Sequence, residues 1–397
     1  MIERTSRRSR PCASGAPHAR SERAGADVLH PTRALSVLFA LALLPLVGCR
    51  PTDDPAAPEA INDRPYRFGL DSTLLAQTYE RAAELPALHT LLIARHGAVQ
   101  AEWHFGGPGP DAPANVKSVS KSILSALVGI AIEEGHLRAA DQPIAPFFEE
   151  YLGPDADPRK RQITIGHLLS MQSGLERTSG PNYGRWVTRD NWVRYALSRP
   201  MEADPGTERF YSTGNSHLLS AILTKATGQS TWAYARDRLA EPLGAPLPRW
   251  TTDPQGIYFG GNDMLVAPRA LLRFGELYRN AGRLDGRQIV PEWWVYTSIE
   301  PRARSRWSGD GYGYGWFTRE VRGYDVFYGW GYGGQYVIVV PCLELTVVAT
   351  SDPYGTEGRG HRRAVWQLLA DGIIPAAERG ANYDGEKKDA ARVVRAN

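Results

Sequence analysis

A chain of 397 residues, 42% hydrophobic and 22% charged, has the make-up of an ordinary globular protein with room for one large domain or two small ones. A formal net charge of +3, with no basic stripe interleaved with aromatics, gives no support to nucleic-acid binding. The three cysteines, Cys12, Cys49 and Cys342, offer neither a disulfide framework nor a metal-type spacing, and no His-Glu-x-x-His pattern occurs, so no metal and no cofactor is expected.

Near the N-terminus, Arg33 precedes an apolar run from Ala34 to Leu46 that ends in Leu46-Val47-Gly48-Cys49. The run is shorter than the roughly 20 apolar residues of a membrane span, and its basic flank and small residues describe a signal peptide. The Leu-x-Gly-Cys ending resembles a bacterial lipobox. The expectation is a signal over residues 1–49, with Cys49 lipidated and the protein held on the periplasmic side of a bacterial envelope by its lipid alone. A plain secretory signal is the alternative. Residues 1–30, Arg-rich and patternless, fit a start site placed too far upstream. Residues 50–64, rich in Pro, Ala and Asp, read as a flexible linker.

The folded part is expected over residues 65–377. Asp71 caps a helix through about Leu85, and Thr90–Arg95 and Ala98–His104 form a hairpin turning at His96-Gly97. From Ser118 to Glu134 the chain is apolar nearly all round, the mark of a helix buried at the centre of a domain, and Gly135 ends it. A helical block follows: Thr164 opens one helix, Leu218 to Leu223 lie on one face of another that stops at Gly228, Ser230 caps a third, and Pro268 begins a fourth ending before Gly282. The last third reads as strands: Tyr312–Thr318, Tyr324–Tyr328, Gln335–Val340 and Glu344–Ser351, followed by a helix over His361–Leu369. The charged tail, residues 378–397, lacks an apolar face and reads as disordered. Strands so far apart can share one antiparallel sheet with the helical block inserted between them. That is an α+β fold, a central antiparallel sheet flanked by helices with an inserted, mostly helical lobe, and a cleft between lobes is where ligands bind.

Three segments are candidates for chemistry. In Ser118-Val119-Ser120-Lys121 a spacing of three puts Ser118 and Lys121 on one helical face. Ser118 would sit at a helix N-terminus, where free N–H groups favour an oxyanion, and a partly desolvated Lys121 can act as a neutral base. Tyr211-Ser212-Thr213 follows the turn Pro205-Gly206, with Phe210 as a core anchor, and would point a phenol into the cleft. Gly331-Tyr332-Gly333-Gly334-Gln335 precedes a strand, where glycines let a ligand lie along the edge and a backbone N–H can bind an oxyanion. Taken singly, each has a structural alternative: a helix cap, a packed tyrosine, a tight turn. Lys117 is expected to be solvated, and Ser120 and Ser122 to be ordinary helix-start residues. His167 and His217 are expected to be structural, and Asp263 and Glu208 loop or ion-pair residues.

Taken in order and spacing, these segments resemble the serine β-lactamase and penicillin-binding-protein superfamily, nearest its class C, esterase and 6-aminohexanoate-dimer hydrolase branches. The likeness runs from about Tyr66 to Ile374 and includes SVSKSILSALVGIAIEEGHL, ITIGHLLSMQSGL, PGTERFYSTGNSHLLSAIL and GYGGQYVIVVP. It implies a β-lactamase/transpeptidase-like fold in which Ser118 attacks a carbonyl, Lys121 accepts its proton and Tyr211 relays it to the leaving group. Backbone N–H groups of Ser118 and Gln335 would form the oxyanion hole, and Thr213, Tyr332, Gly333 and Gly334 would contact substrate. Two departures bear on that substrate. The usual Tyr-x-Asn has Thr213 as its third residue, and the usual Lys-Thr/Ser-Gly is replaced by Tyr332-Gly333-Gly334, without the cation that holds an antibiotic carboxylate. Trp330, Tyr332, Trp316 and Tyr183 are candidates for an apolar lining, with core packing the default for all but Tyr332. The expected activity is hydrolysis of a small carboxylic ester or amide. The alternatives are a β-lactamase or DD-peptidase with an atypical third motif, and a non-catalytic lipoprotein that binds cell-wall peptides.

Overall fold

The computed structural model describes residues 69–355 and 358–380. The signal and lipidation readings, Cys49 included, and the linker at 50–64 lie outside them. Asp71 accepts from Leu74 N at 2.9 Å and caps α1 (Ser72–Ala83). Strands β1 (Leu88–Arg95) and β2 (Ala98–His104) then pair antiparallel. His96 and Gly97, at φ of 52° and 80°, supply the left-handed pair that a two-residue hairpin turn requires.

The chain next leaves the sheet for the helical block. It contains the two-residue strand β3 (Ala114–Asn115), α2 (Ser120–Glu133), α3 (Ile165–Leu169), α4 (Tyr183–Val187), α5 (Trp192–Ser198), α6 (Thr213–Thr227) and α7 (Thr231–Ala235). Strand β4 (Leu265–Val266) pairs with β3 and leads into α8 (Pro268–Arg279). A small hairpin, β5 (Arg283–Leu284) and β6 (Arg287–Gln288), precedes α9 (Glu292–Ile299). The caps follow the sequence: Thr164 and Ser230 accept from N3 of their helices, and Gly228 closes α6 at φ 70°.

The chain then returns to the sheet as β7 (Ala303–Arg304), β8 (Gly311–Tyr312), β9 (Phe317–Val321), β10 (Tyr324–Gly331), β11 (Gln335–Val340) and β12 (Leu345–Ser351), and ends in α10 (Gly358–Leu368). The sheet order is β2-β1-β12-β11-β10-β9-β8-β7, with antiparallel neighbours throughout. The N-terminal hairpin therefore docks on the last strand, Thr90 opposite Thr350 with their hydroxyls 2.7 Å apart. The single strand expected over Tyr312–Thr318 is instead a tight hairpin. Gly315 at φ 83° and the bond from Gly313 N to Trp316 O (2.9 Å) reverse the chain, so that Tyr312 faces Phe317.

Side chains alternate across the sheet. On β11, Val337 and Val339 join the core beneath the helical block, while Tyr336, Ile338 and Val340 face the layer of α1 and α10. Helix α8 lies on the first face against β11, β12 and β1. At Gly275 a Cβ would come within 2.6 Å of Thr346 Cγ2, so that helix needs a glycine there to approach so closely. Helix α2 is buried along almost its whole length between the sheet and the helical block, as its all-round apolar sequence requires. Past α10 the chain stays helical through residues 374–380, and Glu378 accepts from Tyr324 Oη and Arg322 Nη2, both at 3.2 Å. Residues 378–380, expected to open a disordered tail, are therefore helical, and the rest of that expected tail lies outside the described residues.

Candidate active site

Val116 N bonds to Met264 O at 3.1 Å, which ties the chain ahead of α2 to the β4 segment. Lys117–Val119 then forms a 3-10 turn, and only at Ser120 does the α-helix begin. Ser118 stands on this turn, half-buried, one turn ahead of Lys121. Lys117 adopts φ 48°, a strained value for a residue that carries a side chain. That strain is over-determined by its surroundings. Lys117 N bonds to Asn115 Oδ1 (3.0 Å), Lys117 Nζ pairs with Asp263 Oδ1 (2.9 Å), and Asn115 Nδ2 donates to the same oxygen (2.9 Å). Lys117 is thus a half-buried strut, with 13% of its side chain exposed, and the expectation of a solvated lysine is corrected. Sequence alone hides its partner, 146 residues away, although a polar Asn-x-Lys run next to the candidate serine was a legible hint.

Ser120 and Ser122 hold the helix start in place. Ser120 Oγ donates to Lys117 O (2.5 Å) and accepts from Met264 N (3.2 Å), and Ser122 Oγ donates to Gly315 O (2.7 Å). Gly331, at the end of β10, faces the turn: a Cβ there would lie 2.3 Å from Val116 O.

Lys121 is 3% exposed. Its Nζ lies 3.0 Å from Ser118 Oγ, 2.6 Å from Gly261 O and 3.4 Å from Thr213 Oγ1. It sits 4.9 Å from the centre of the Tyr211 ring. Burial holds the amine below its ordinary pKa, opposed by charge and hydrogen bonding with the Tyr211 phenol and by the more distant charge of Asp263. Gly261 is required here, because at φ 72° a Cβ would fall 2.7 Å from Lys121 Cγ.

Tyr211 precedes α6 and is pinned through its neighbours to the loop at 171–179. Phe210 N bonds to Met171 O (2.9 Å), Thr178 N to Ser212 Oγ (3.0 Å), and Thr213 N to Ser179 Oγ (2.8 Å). Ser179, which the sequence reading missed, also shares a bond of 3.0 Å with Thr213 Oγ1. The fold thus brings Ser118, Lys121, Tyr211 and Thr213 together from the starts of α2 and α6 and the segments just ahead of them.

Gln335, fully buried at the start of β11, is clamped by its side chain to Ser351, donating to Ser351 O (2.7 Å) and accepting from its N–H (3.1 Å). Gly333 and Gly334 take φ of 81° and 102°, and Tyr332 between the glycines is 59% exposed. Of the other aromatics, Trp316 is fully buried against Tyr278 and Phe274 and belongs to the core, not to a lining. Trp330 packs half-buried under the opposite face of the sheet. Tyr183 is half-buried, accepts from Asn262 Nδ2 (3.1 Å) and has its phenol pushed up to about 12 by burial. His167 and His217 are structural as expected: His167 completes the α3 capping box, and His217 bonds Asp253 at 2.9 Å in the core. Glu208 pairs with Arg306.

A cleft of about 490 Å³ opens beside Tyr211, walled by Arg177, Glu202, Arg209, Phe210 and Trp307 among others. Phe210 was expected as the core anchor, but the strand-like alternation runs the other way. Arg209 turns inward with 8% exposed, and Phe210 stays half-buried on the cleft wall.

A family model described as beta-lactamase matches residues 87–371. The chain is 26% identical over 279 residues to the 6-aminohexanoate-dimer hydrolase of Paenarthrobacter ureafaciens, covering 65% of this chain and 68% of that protein. It is 28% identical over 208 residues to the esterase EstB of Burkholderia gladioli, covering 45% of this chain and about half, 53%, of that one. The solved structure of EstCE1, a hydrolase with promiscuous acyltransferase activity, superposes with a TM-score of 0.65 at 20% identity, over 76% of this chain and 98% of that chain, a likeness of fold. The family model spans most of the chain, and the protein belongs to the beta-lactamase family.

Proposed function

We propose that this protein is a serine hydrolase that cleaves a small carboxylic ester or amide through an acyl-enzyme on Ser118. The observation that carries the reading is the buried Lys121 amine 3.0 Å from the Ser118 hydroxyl, with the Tyr211 ring against it. A neutral amine has two N–H donors and one lone pair. Gly261 O and Thr213 Oγ1 are placed to accept the two donors, which leaves the lone pair for the Ser118 proton.

Ser118 Oγ then attacks the carbonyl carbon and its proton passes to Lys121 Nζ. The resulting oxyanion takes the backbone N–H groups of Ser118 and Gln335. Collapse expels an alkoxide or amine, which receives the proton by way of Tyr211. Water next attacks the acyl carbon and yields its proton to the Tyr211–Lys121 pair, releasing the acid and restoring Ser118. Thr213 holds the amine, and Tyr332, Gly333 and Gly334 form the strand edge along which substrate lies. The absence of a cation in that edge, and the names of the relatives, favour 6-aminohexanoate-oligomer or esterase substrates over β-lactams.

Purified protein from Pro51 onward, offered a short-chain nitrophenyl ester, a 6-aminohexanoate dimer and a chromogenic cephalosporin, tests this. Turnover of the ester or the dimer, lowered on the order of 10³-fold or more by Ser118→Ala, is the expected result. Turnover of the cephalosporin alone would replace it with the β-lactamase reading, and a folded protein with no turnover would leave a cell-wall-binding lipoprotein.

A further inference from the structure

We infer that Arg209 is an anion-binding residue that selects substrates carrying a free carboxylate on the chain held in the cleft beside Tyr211. The inference rests on the hydrolase reading of this site and names the class of substrate.

Arg209 is more than nine-tenths buried, yet among the described residues it has no ion-pair or hydrogen-bond partner, and its Nε is sealed from solvent without an acceptor. What surrounds it is aromatic. The guanidinium carbon lies 4.3 Å from the centre of the Tyr312 ring, 5.5 Å from Tyr211 and 5.6 Å from Phe317. Stacking on rings fixes the plane of the guanidinium but leaves its in-plane N–H groups unfilled, the arrangement that receives a carboxylate edge-on. The nearby carboxylates are committed elsewhere. Asp310 accepts from Tyr328 Oη (2.6 Å) and pairs with Arg319 (3.3 Å), and Glu208 pairs with Arg306. Glu176, on the cleft wall, pairs with Arg199 (3.4 Å). Glu202, exposed, is the acid that remains in the lining of this cleft.

The position also fits the chemistry. Lys121 and Arg209 approach the same Tyr211 ring, so a substrate whose carbonyl is at Ser118 would carry its carboxylate to Arg209 across a short methylene chain.

The test uses 4-nitrophenyl hydrogen adipate and its twin with the carboxylate capped as a carboxamide. The unaltered protein is expected to prefer the free acid at least tenfold in kcat/KM. Arg209→Gln should erase that preference and Arg209→Lys keep part of it, with circular dichroism reporting the fold of each. Equal kcat/KM for the two esters in the unaltered protein overturns the inference while leaving ester hydrolysis intact. For a result independent of turnover and of Arg209 variants, Ser118→Ala protein is titrated with adipic mono-4-nitroanilide and its carboxamide twin. At least tenfold tighter binding of the acid supports the inference, and equal affinities overturn it.

Discussion

Lys121 is removed from water and, among the described residues, has no carboxylate at hydrogen-bond distance, which under the proposed mechanism sets the pH at which it works. Desolvation penalises the charged form, so its proton leaves below the ordinary lysine value of 10.5. In the proposed mechanism the base is the neutral form, so kcat/KM should rise with pH through one ionisation centred below pH 10.5. A rising limb centred at or above 10.5 would remove Lys121 as the base. Lys121→Arg keeps the charge but cannot release it, and kcat is expected to fall at least about 100-fold. Linkage gives the sign for stability. Between the lowered folded value and 10.5 the unfolded chain binds more protons, so the folded state gains stability as pH rises through that window.

At the level of elements, the turn that carries Ser118 depends on how closely strand β10 approaches it. A Cβ at Gly331 would meet Val116 O at 2.3 Å, so Gly331→Ala must push the turn that carries Ser118. We expect kcat to drop at least about tenfold, since displacements near 1 Å cost that much or more, with far-UV circular dichroism unchanged. An alanine variant with full activity would mean that the turn adjusts freely. Much of this layer was legible in the sequence, because it is written in local chemistry. Asp71, Thr164 and Ser230 announce helix starts, His96-Gly97 announces a hairpin, and the all-round apolar run after Ser118 announces a buried helix. What was not legible is set by distant partners. The pairing of Lys117 with Asp263 spans 146 residues. The turn that splits Tyr312–Thr318 is enforced partly by Ser122 reaching Gly315 O. The inward Arg209 and outward Phe210 reverse what hydrophobicity alone would assign, because the aromatic slot of Tyr312 and Phe317 accepts a flat cation as readily as a ring.

For the molecule as a whole, the Leu-x-Gly-Cys ending makes a prediction about place. Expressed in a bacterium that processes lipoproteins, the protein should fractionate with membranes, and Cys49→Ser should move it to the soluble fraction. If the two fractionate alike, lipidation at Cys49 is excluded. The sheet makes another prediction. Near one edge it joins β1 to β12, strands far apart in the chain, with the paired Thr90 and Thr350 separated by 260 residues, and such non-local pairing is slow to form. Refolding from denaturant should therefore regain hydrolysis and tryptophan fluorescence together, over seconds or longer. Synthesis runs in one direction, and the pairing of β1 with β12 gives that a consequence of its own. Ser118 and Lys121 leave the ribosome early, but Gln335 and the strand beneath it leave almost last. Under the proposed mechanism a nascent chain thus carries its nucleophile unarmed, and hydrolysis is expected to begin only when the final strand joins the sheet.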